Sequence, residues 1–252
     1  MKYYIYKNSV GLKSANIWFA RNANEWKEIK ADILHIWGFP DKVCKGVYNK
    51  QQTLIIDLKK NEDELFGDIN KTVRYEINRS IKESIRFNIY TSKQIEDKPE
   101  LVQEFHRCYD EMYKEKNLGT RLDVENFEKY IKNNMVYLSI ASDDEEKLVY
   151  HVYTYDEKTV RFLYSCSTFR GSEDKKNIIG RANKFLHWKD MQFFKSIGIE
   201  TYDLGGIASY EKPNGIDRFK INLGGKPVSY YNITCGNTIV GKLMVLILKL
   251  KK

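Results

Sequence analysis

The sequence predicts an α/β fold, a mixed α+β arrangement in which helices cover both faces of a mostly antiparallel sheet. Three strand-like segments follow one another between residues 135 and 166 with short polar turns between them, a pattern typical of an antiparallel meander. Apolar strands and amphipathic helices alternate before and after this meander. A chain of 252 residues, 42% of them hydrophobic, is long enough to bury a substantial core.

We predict three regions along the chain. Residues 1–50 form a strand–helix preface that packs on the main domain, residues 51–236 form that domain, and residues 237–252 form a basic amphipathic tail that ends in Lys251 and Lys252. In the preface, residues 16–20 are strand-like. Asn24 is placed to cap a helix whose apolar residues follow helical spacing: Trp26, Ile29, Ile33 and Trp37.

A buried strand at 53–58 precedes a long helix predicted over 62–84. Its apolar stripe recurs every four residues: Val73, Ile77, Ile81 and Ile85. A second stripe is mainly basic: Lys71, Arg74, Asn78, Lys82 and Arg86. This stripe either meets an anionic substrate or is an ordinary solvated face. Arg74 is the residue whose substitution best distinguishes the two.

The four histidines do not form a metal-ligand pattern. His35, His106 and His187 have no partner at ligand spacing, so we predict no metal site. His151 lies in the middle strand of the meander on the same face as Tyr153. We favour a hydrogen-bonded structural histidine there over a proton acceptor.

The segment NIIGRA, residues 177–182, is predicted to begin a helix that continues to residue 197. Free backbone N–H groups and the positive end of a helix dipole bind phosphate oxygens. The start of this helix would therefore offer hydrogen-bond donors to a phosphate group.

The stretch from Ile199 to Gly225 has the strongest functional pattern. A buried strand ends at Gly205 and Gly206, and a short helix after a polar loop ends at a second glycine pair. Adjacent glycines allow positive φ and close approach of a ligand to the backbone. Asp203 lies just before the first pair and Lys220 lies between the two, at the ends of the strand and the helix, so we expect an acid and a base to face one cleft.

The segments YDLGGI (202–207) and GIDRFKINLGG (215–225) resemble the end of the FemAB-type peptidyltransferase domain, a branch of the GNAT acyltransferase superfamily. Arg74 with the segment 77–79, and LHW at 186–188, stand at matching positions. NIIGRA is similar to the GNAT pyrophosphate loop at Gly180 and Ala182, with asparagine where glutamine or arginine is usual. The resemblance covers roughly residues 51–235 and implies a GNAT-like fold.

The resemblance also implies roles for individual residues. Phe219 and Lys220 match the Phe–Lys pair of the motif, and the Lys220 ammonium would stabilise an oxyanion or a donor phosphate. Asp203 would take the amine proton or, as we favour, orient Lys220 or cap the next turn. Tyr164 is a candidate acid for the leaving group. The remaining candidate binding residues are Arg74, Ser165, Gly180, Arg181, Ala182, Trp188, Gly205 and Gly206.

Composition limits the partners and the compartment. A net charge of +8 favours an anionic co-substrate such as tRNA or coenzyme A over DNA. Four cysteines without CxxC spacing are typical of reduced thiols in a cytoplasmic protein. We find neither a signal peptide nor a membrane-spanning run. The apolar tail either docks on its own domain, which we favour, or makes a peripheral contact with the inner face of the membrane.

These observations leave three functional hypotheses. The first is a FemAB-like transferase that moves an acyl or aminoacyl group from aminoacyl-tRNA onto an amine of a bacterial cell-envelope precursor, an amino sugar or peptide. The second is an acyl-CoA-dependent N-acetyltransferase acting on an amino sugar or lipid. The third is a non-catalytic module that binds anionic lipid or RNA. None of them requires a tightly bound cofactor.

Overall fold

The computed structural model describes residues 1–115, 122–168 and 173–250. Over these residues the strands are β1 (Lys2–Lys7), β2 (Lys13–Trp18), β3 (Ile33–Phe39), β4 (Gly46–Asp57), β5 (Arg86–Thr91), β6 (Val136–Ser142), β7 (Lys147–Tyr155), β8 (Thr159–Ser167), β9 (Thr201–Ile207) and β10 (Lys226–Gly236). The helices are α1 (Glu62–Asp68), α2 (Lys71–Lys82), α3 (Ser92–Glu96), α4 (Pro99–Glu115), α5 (Val124–Lys132), α6 (Glu173–Ser196), α7 (Gly215–Ile221) and α8 (Ile239–Leu250). The predicted lysine pair at 251–252 lies outside the described residues.

The strands form one mixed sheet in the order β1-β2-β3-β10-β4-β9-β8-β7-β6-β5. The predicted fold class, a GNAT-like fold on a mostly antiparallel sheet, is therefore corrected to an α/β fold built on a single ten-stranded mixed sheet. The β2–β3 and β8–β9 pairs are parallel. Parallel neighbours need a long crossover, and residues 19–32 and helix α6 supply these two. The predicted meander is observed, because β6, β7 and β8 pair antiparallel.

The helix predicted in the preface is wrong, because its second half is strand β3. Ile33 and Trp37 pair with Ser14 and Trp18 of β2, and the two tryptophan rings stack with centroids 5.5 Å apart. Residues four positions apart share one face of a strand as well as one face of a helix. The spacing used in the prediction therefore fits both structures, and the β-branched and aromatic residues favour the strand.

The single helix predicted over 62–84 is also wrong. Helix α1 ends at Asp68 and helix α2 begins at Lys71. Asn70 caps α2, because its side chain accepts a hydrogen bond from the Thr72 backbone N–H. Asparagine at this position therefore starts a new helix within a stretch whose apolar spacing is continuous.

The chain divides into two compact units. The first comprises 1–54, 206–214 and 227–252, with a core formed by side chains such as Ile17, Leu34 and Ile233. The second comprises 55–205 and 215–226. We keep the domain boundaries at residues 50 and 236 as a prediction. No helix of the described residues is long and apolar enough to cross a membrane.

Within the second unit, helices α4 and α6 cover opposite faces of strand β7. The Tyr150 ring contacts Phe105 of α4, with centroids 6.2 Å apart. Its neighbour His151 contacts His187 of α6, with centroids 4.2 Å apart. Successive residues of a strand point to opposite faces, so the side of β7 that carries His151 faces α6.

Candidate active site

Lys220 lies where helix α7 meets the end of strand β9. Its side chain is half-buried, and its Nζ lies 5.9 Å from the centroid of the Phe162 ring of β8. A Cβ atom placed on Gly205 would lie 3.6 Å from the same nitrogen. The predicted strand end and short helix are thus brought together around the lysine.

Gly205 allows strand β9 to approach β8 closely. Its φ is +75°, in the region that only glycine adopts readily. A Cβ at this position would lie 2.8 Å from the carbonyl oxygen of Phe162, inside van der Waals contact. Backbone conformation and space therefore both require glycine here.

Asp203 accepts hydrogen bonds through both carboxylate oxygens. Oδ1 accepts from the Gly205 N–H at 2.8 Å, and Oδ2 accepts from Nη1 of Arg161 at 2.5 Å. Arg161 is its partner in the parallel β8–β9 pair, and both side chains are largely buried. These are the contacts expected of the structural alternative, in which Asp203 caps the turn. The sequence analysis missed Arg161, because its role depends on strand pairing.

The environment of Lys220 lowers its pKa to about 8. Burial is the main cause and the nearby Arg161 guanidinium adds to it, while Asp203 and Asp217 act in the opposite direction. At pH 7 roughly nine in ten Lys220 side chains are still ammonium ions. The site therefore presents a cation that can also release its proton close to physiological pH.

A chain of buried polar side chains lies on the α6 side of Phe162. His187 Nδ1 lies 2.7 Å from the hydroxyl of Tyr202, and the His187 ring lies 5.0 Å from the Phe162 ring and 5.6 Å from the Phe219 ring, centroid to centroid. The pKa of His187 is lowered well below its usual value, first by burial and then by the charges of His151 and Lys220. His187 is therefore neutral at pH 7.

His151, His187 and Asp190 are grouped closely enough to be considered as metal ligands, with candidate ligand atoms within 4.8 Å of one another. His151 Nδ1 is hydrogen-bonded to Asp190 Oδ2 at 2.9 Å, and His187 Nδ1 is hydrogen-bonded to the Tyr202 hydroxyl. A metal would have to displace the first of these hydrogen bonds. The sequence spacing gave no sign of this group, and the expectation of no metal stays a prediction.

The structure does not bring Tyr164 and Lys220 together. The Tyr164 ring contacts Tyr109 of α4 and Phe127 of α5, whereas Phe162 contacts His187 of α6. A register shift in the β7–β8 pairing separates Tyr164 from Phe162. Burial raises the pKa of Tyr164 above its usual value, which makes it a weaker acid. Its role as a leaving-group acid stays a prediction without structural support.

Ser165, which pairs with His151 in the β7–β8 ladder, is half-buried. Trp188 is buried, and its ring lies 4.9 Å from that of Phe66 on helix α1. This contact is one of core packing.

Arg74 is half-buried on α2, and its guanidinium forms no ion pair with the described residues, so it keeps its proposed role as an anion ligand. Gly206 belongs to the first compact unit.

The helix predicted to begin at residue 177 begins at Glu173 instead, so residues 177–182 lie inside helix α6, and the donor-binding role of Gly180, Arg181 and Ala182 stays a prediction. Their backbone N–H groups follow earlier helical residues and are not the free donors of a helix start. Arg181 forms a bidentate ion pair with Glu83, with N···O distances of 2.6 and 3.0 Å. Gly180 has no atom within 4 Å of the position of a Cβ, so no close approach requires glycine there.

No protein-family model and no curated protein matches the chain. Solved structures match its fold. FemX has a TM-score of 0.61 at 14% identity over 88% of this chain and 81% of its own. The C-terminal domain of a protein assigned as a lysylphosphatidylglycerol synthetase of Agrobacterium fabrum has a TM-score of 0.60 at 12% identity, over 98% of this chain and 88% of its own.

L-PGS from Bacillus licheniformis gives a TM-score of 0.51 at 12% identity, over 98% of this chain and 88% of its own. At these identities the likeness concerns the fold. The chain shares the fold of FemX, which agrees, at the level of fold alone, with the resemblance of its sequence to the FemAB-type domain.

Proposed function

We propose that the protein is a FemAB-like transferase that moves an acyl or aminoacyl group onto an amine. The observation that carries this proposal is the half-buried Lys220 ammonium, which lies against Phe162 and the Gly205 turn at the end of strand β9. The fold shared with FemX supports it.

Lys220 suits the charge that develops in acyl transfer. When an amine attacks an ester or thioester carbonyl, negative charge forms on the carbonyl oxygen. A cation fixed in a partly desolvated site stabilises that charge better than water does, and removing one such group costs about 2.7–4 kcal/mol of barrier. The Arg161–Asp203 pair holds the turn beside the lysine, so the ammonium needs little reorganisation during the reaction.

We favour aminoacyl-tRNA as the donor over acyl-CoA. The segment that resembles a GNAT pyrophosphate loop, residues 177–182, lies inside α6, so it does not offer the free N–H groups of a helix start to coenzyme A. The name of one similar protein, a lysylphosphatidylglycerol synthetase, indicates a lipid acceptor, and the resemblance to the FemAB-type domain implies an amino sugar or peptide. We therefore propose an amino sugar or peptide precursor as acceptor, with phosphatidylglycerol as a further acceptor to assay. Such a donor places the reaction in the cytoplasm.

We also propose that helix α8 contacts the membrane surface. Four apolar side chains at spacings of three and four residues are more than half exposed: Ile239, Leu243, Leu246 and Leu250. Gly241 and Val245, on the other side of the helix, are buried. The exposed Lys242 and Lys249 lie along one edge of the apolar stripe, where they can contact anionic headgroups.

The membrane contact is tested by co-sedimentation with vesicles of phosphatidylcholine, with and without phosphatidylglycerol. We expect binding to the anionic vesicles and its loss in Leu243→Glu. Ile197→Glu is a matched control, because Ile197 is an exposed apolar residue that does not belong to α8. Equal binding of the two variants would contradict the proposal.

The transferase proposal is tested by measuring transfer of a radiolabelled aminoacyl group from tRNA to the candidate acceptors. Lys220→Met removes the charge and keeps the length of the side chain, so we expect a rate roughly 100- to 1000-fold lower. Lys158→Met is the control, because Lys158 forms a surface pair with Glu200. Transfer that is unaffected by Lys220→Met would refute the role of the lysine. Thermal stabilisation by acetyl-CoA at moderate salt would favour the alternative donor.

A further inference from the structure

Five buried side chains link the middle of the sheet to the neighbourhood of Lys220. The Tyr153 hydroxyl lies 2.6 Å from Asp190 Oδ2 and 2.6 Å from the Tyr202 hydroxyl, which in turn lies 2.7 Å from His187 Nδ1. His151 Nδ1 bonds to the same carboxylate oxygen from the other side. Each of these side chains is at most 1% exposed.

The direction of every hydrogen bond follows from Asp190. The Tyr153 hydroxyl donates its hydrogen to Asp190 Oδ2. Each hydroxyl has one hydrogen, so Tyr153 must accept from Tyr202, and Tyr202 must accept from His187. His187 therefore carries its proton on Nδ1. Because its lowered pKa keeps the ring neutral, Nε2 is left with a lone pair.

The other neighbours of the His187 ring belong to the candidate site. Phe162 contacts both His187 and Lys220, with a ring-centroid distance of 5.0 Å to the first and 5.9 Å to the Lys220 Nζ. Phe219, next to Lys220 in sequence, contacts the ring at 5.6 Å. The charge of Lys220 also acts on His187. The far end of the polar chain therefore lies at the lysine.

We propose that Asp190, acting through Tyr153 and Tyr202, fixes His187 as its Nδ1–H tautomer, and that the Nε2 lone pair of His187 positions the Lys220 ammonium for transfer. His187 is thus a positioning residue. A continuous polar path through an interior is expensive unless every group is satisfied, which favours a role beyond packing. The second oxygen of Asp190 has no hydrogen-bond partner among the described residues, a further sign that this carboxylate is not placed for stability alone. The role of His187 rests on the proposed function of Lys220.

The tautomer can be measured without any substrate. Long-range ¹H–¹⁵N spectra of the imidazole rings, assigned by replacing each of the four histidines in turn, show which nitrogen carries the proton. We expect Nδ1–H for His187 in the wild type. In Tyr153→Phe the Tyr202 hydroxyl loses its acceptor and is free to donate to His187, so the proton should move to Nε2.

Tyr150→Phe is the matched control. Tyr150 lies on the same strand, is also buried, and faces α4 instead of α6. The same hydroxyl deletion there should leave the His187 tautomer unchanged. A wild-type His187 protonated on Nε2, or a tautomer that does not respond to Tyr153→Phe, would overturn the proposed chain.

The positioning role is tested by the transfer assay. We expect Tyr153→Phe to lower kcat about tenfold, less than the roughly 100-fold that loss of a proton-transfer group costs, with little change in KM. Tyr150→Phe should match the wild type. A switched tautomer with an unchanged kcat would refute the positioning role and leave the tautomer assignment intact. A wild type without any transfer would refute the proposed function instead.

Discussion

Replacing Lys220 by methionine should make the protein more stable at neutral pH while it removes activity. Burial lowers the pKa of Lys220 from 10.5 to about 8, so the folded state disfavours the charged form relative to the unfolded chain. A difference of this size corresponds to about 3 kcal/mol, at 1.36 kcal/mol for each pKa unit. Because the side chain is only partly buried, we expect a measured gain of about 1–3 kcal/mol from Lys220→Met.

The sign of the pH dependence follows from the direction of this pKa change. Between pH 8 and 10.5 the unfolded chain binds more protons at this lysine than the folded protein does, so wild-type stability rises with pH across that interval. Below pH 8 the full cost of burying the charge is present. The advantage of Lys220→Met should therefore be largest near pH 7 and shrink as the pH approaches 10.

The assay is thermal unfolding of wild type and variant at pH 7 and at pH 9.5. Each kcal/mol should appear as a Tm difference of about 2–4 °C for a chain of this size. Lys220→Arg is the control, since a guanidinium keeps its charge at both pH values and gains nothing at the higher one. A methionine variant less stable than the wild type at pH 7, or a difference that does not change with pH, would refute the reasoning.

Two further substitutions test the geometry around the lysine. Gly205→Ala should destabilise the fold by more than about 2 kcal/mol, because a Cβ would meet the Phe162 carbonyl oxygen at 2.8 Å and φ is +75°. Gly180→Ala, in the open interior of a helix, should instead stabilise it by about 0.5–1 kcal/mol, and urea unfolding of the two variants measures both. Asp203→Leu should cost about 3–5 kcal/mol, because it leaves the Arg161 guanidinium buried without its partner, whereas the double variant with Arg161→Leu should recover part of that loss. Chemical denaturation of the single and double variants gives the coupling, and a double variant no more stable than Asp203→Leu would contradict the assignment.

Short sequence patterns predicted an element correctly where only one kind of secondary structure fits the pattern. The meander at β6, β7 and β8 was predictable because three adjacent runs rich in β-branched and aromatic residues, separated by short polar turns, are typical of antiparallel strands. The short helix with Lys220 was predictable because glycines mark the turns on both sides of it. The predicted end of the strand at Gly205 is wrong, because β9 runs through Gly205 and Gly206 to Ile207. The helix predicted for the preface failed because spacings of four residues also suit a strand, and pairing with β2 and β10 selects β3.

Other features depend on contacts between residues that are distant in sequence. Arg161 meets Asp203 only because β8 and β9 pair in parallel. Arg181 pairs with Glu83 because α6 packs on α2, a contact that the local motif did not predict.

The sequence by itself determined the meander, the short helix and the candidate lysine, because strand propensity and glycine conformation act over a few residues. It did not determine the ten-stranded order of the sheet, because strand pairing is decided by long-range contacts and crossovers. Nor could it reveal the chain from Asp190 to His187, whose members come from β7, α6 and β9. Burial and hydrogen-bond direction in the folded interior decide its chemistry, and both exist only once these elements have packed.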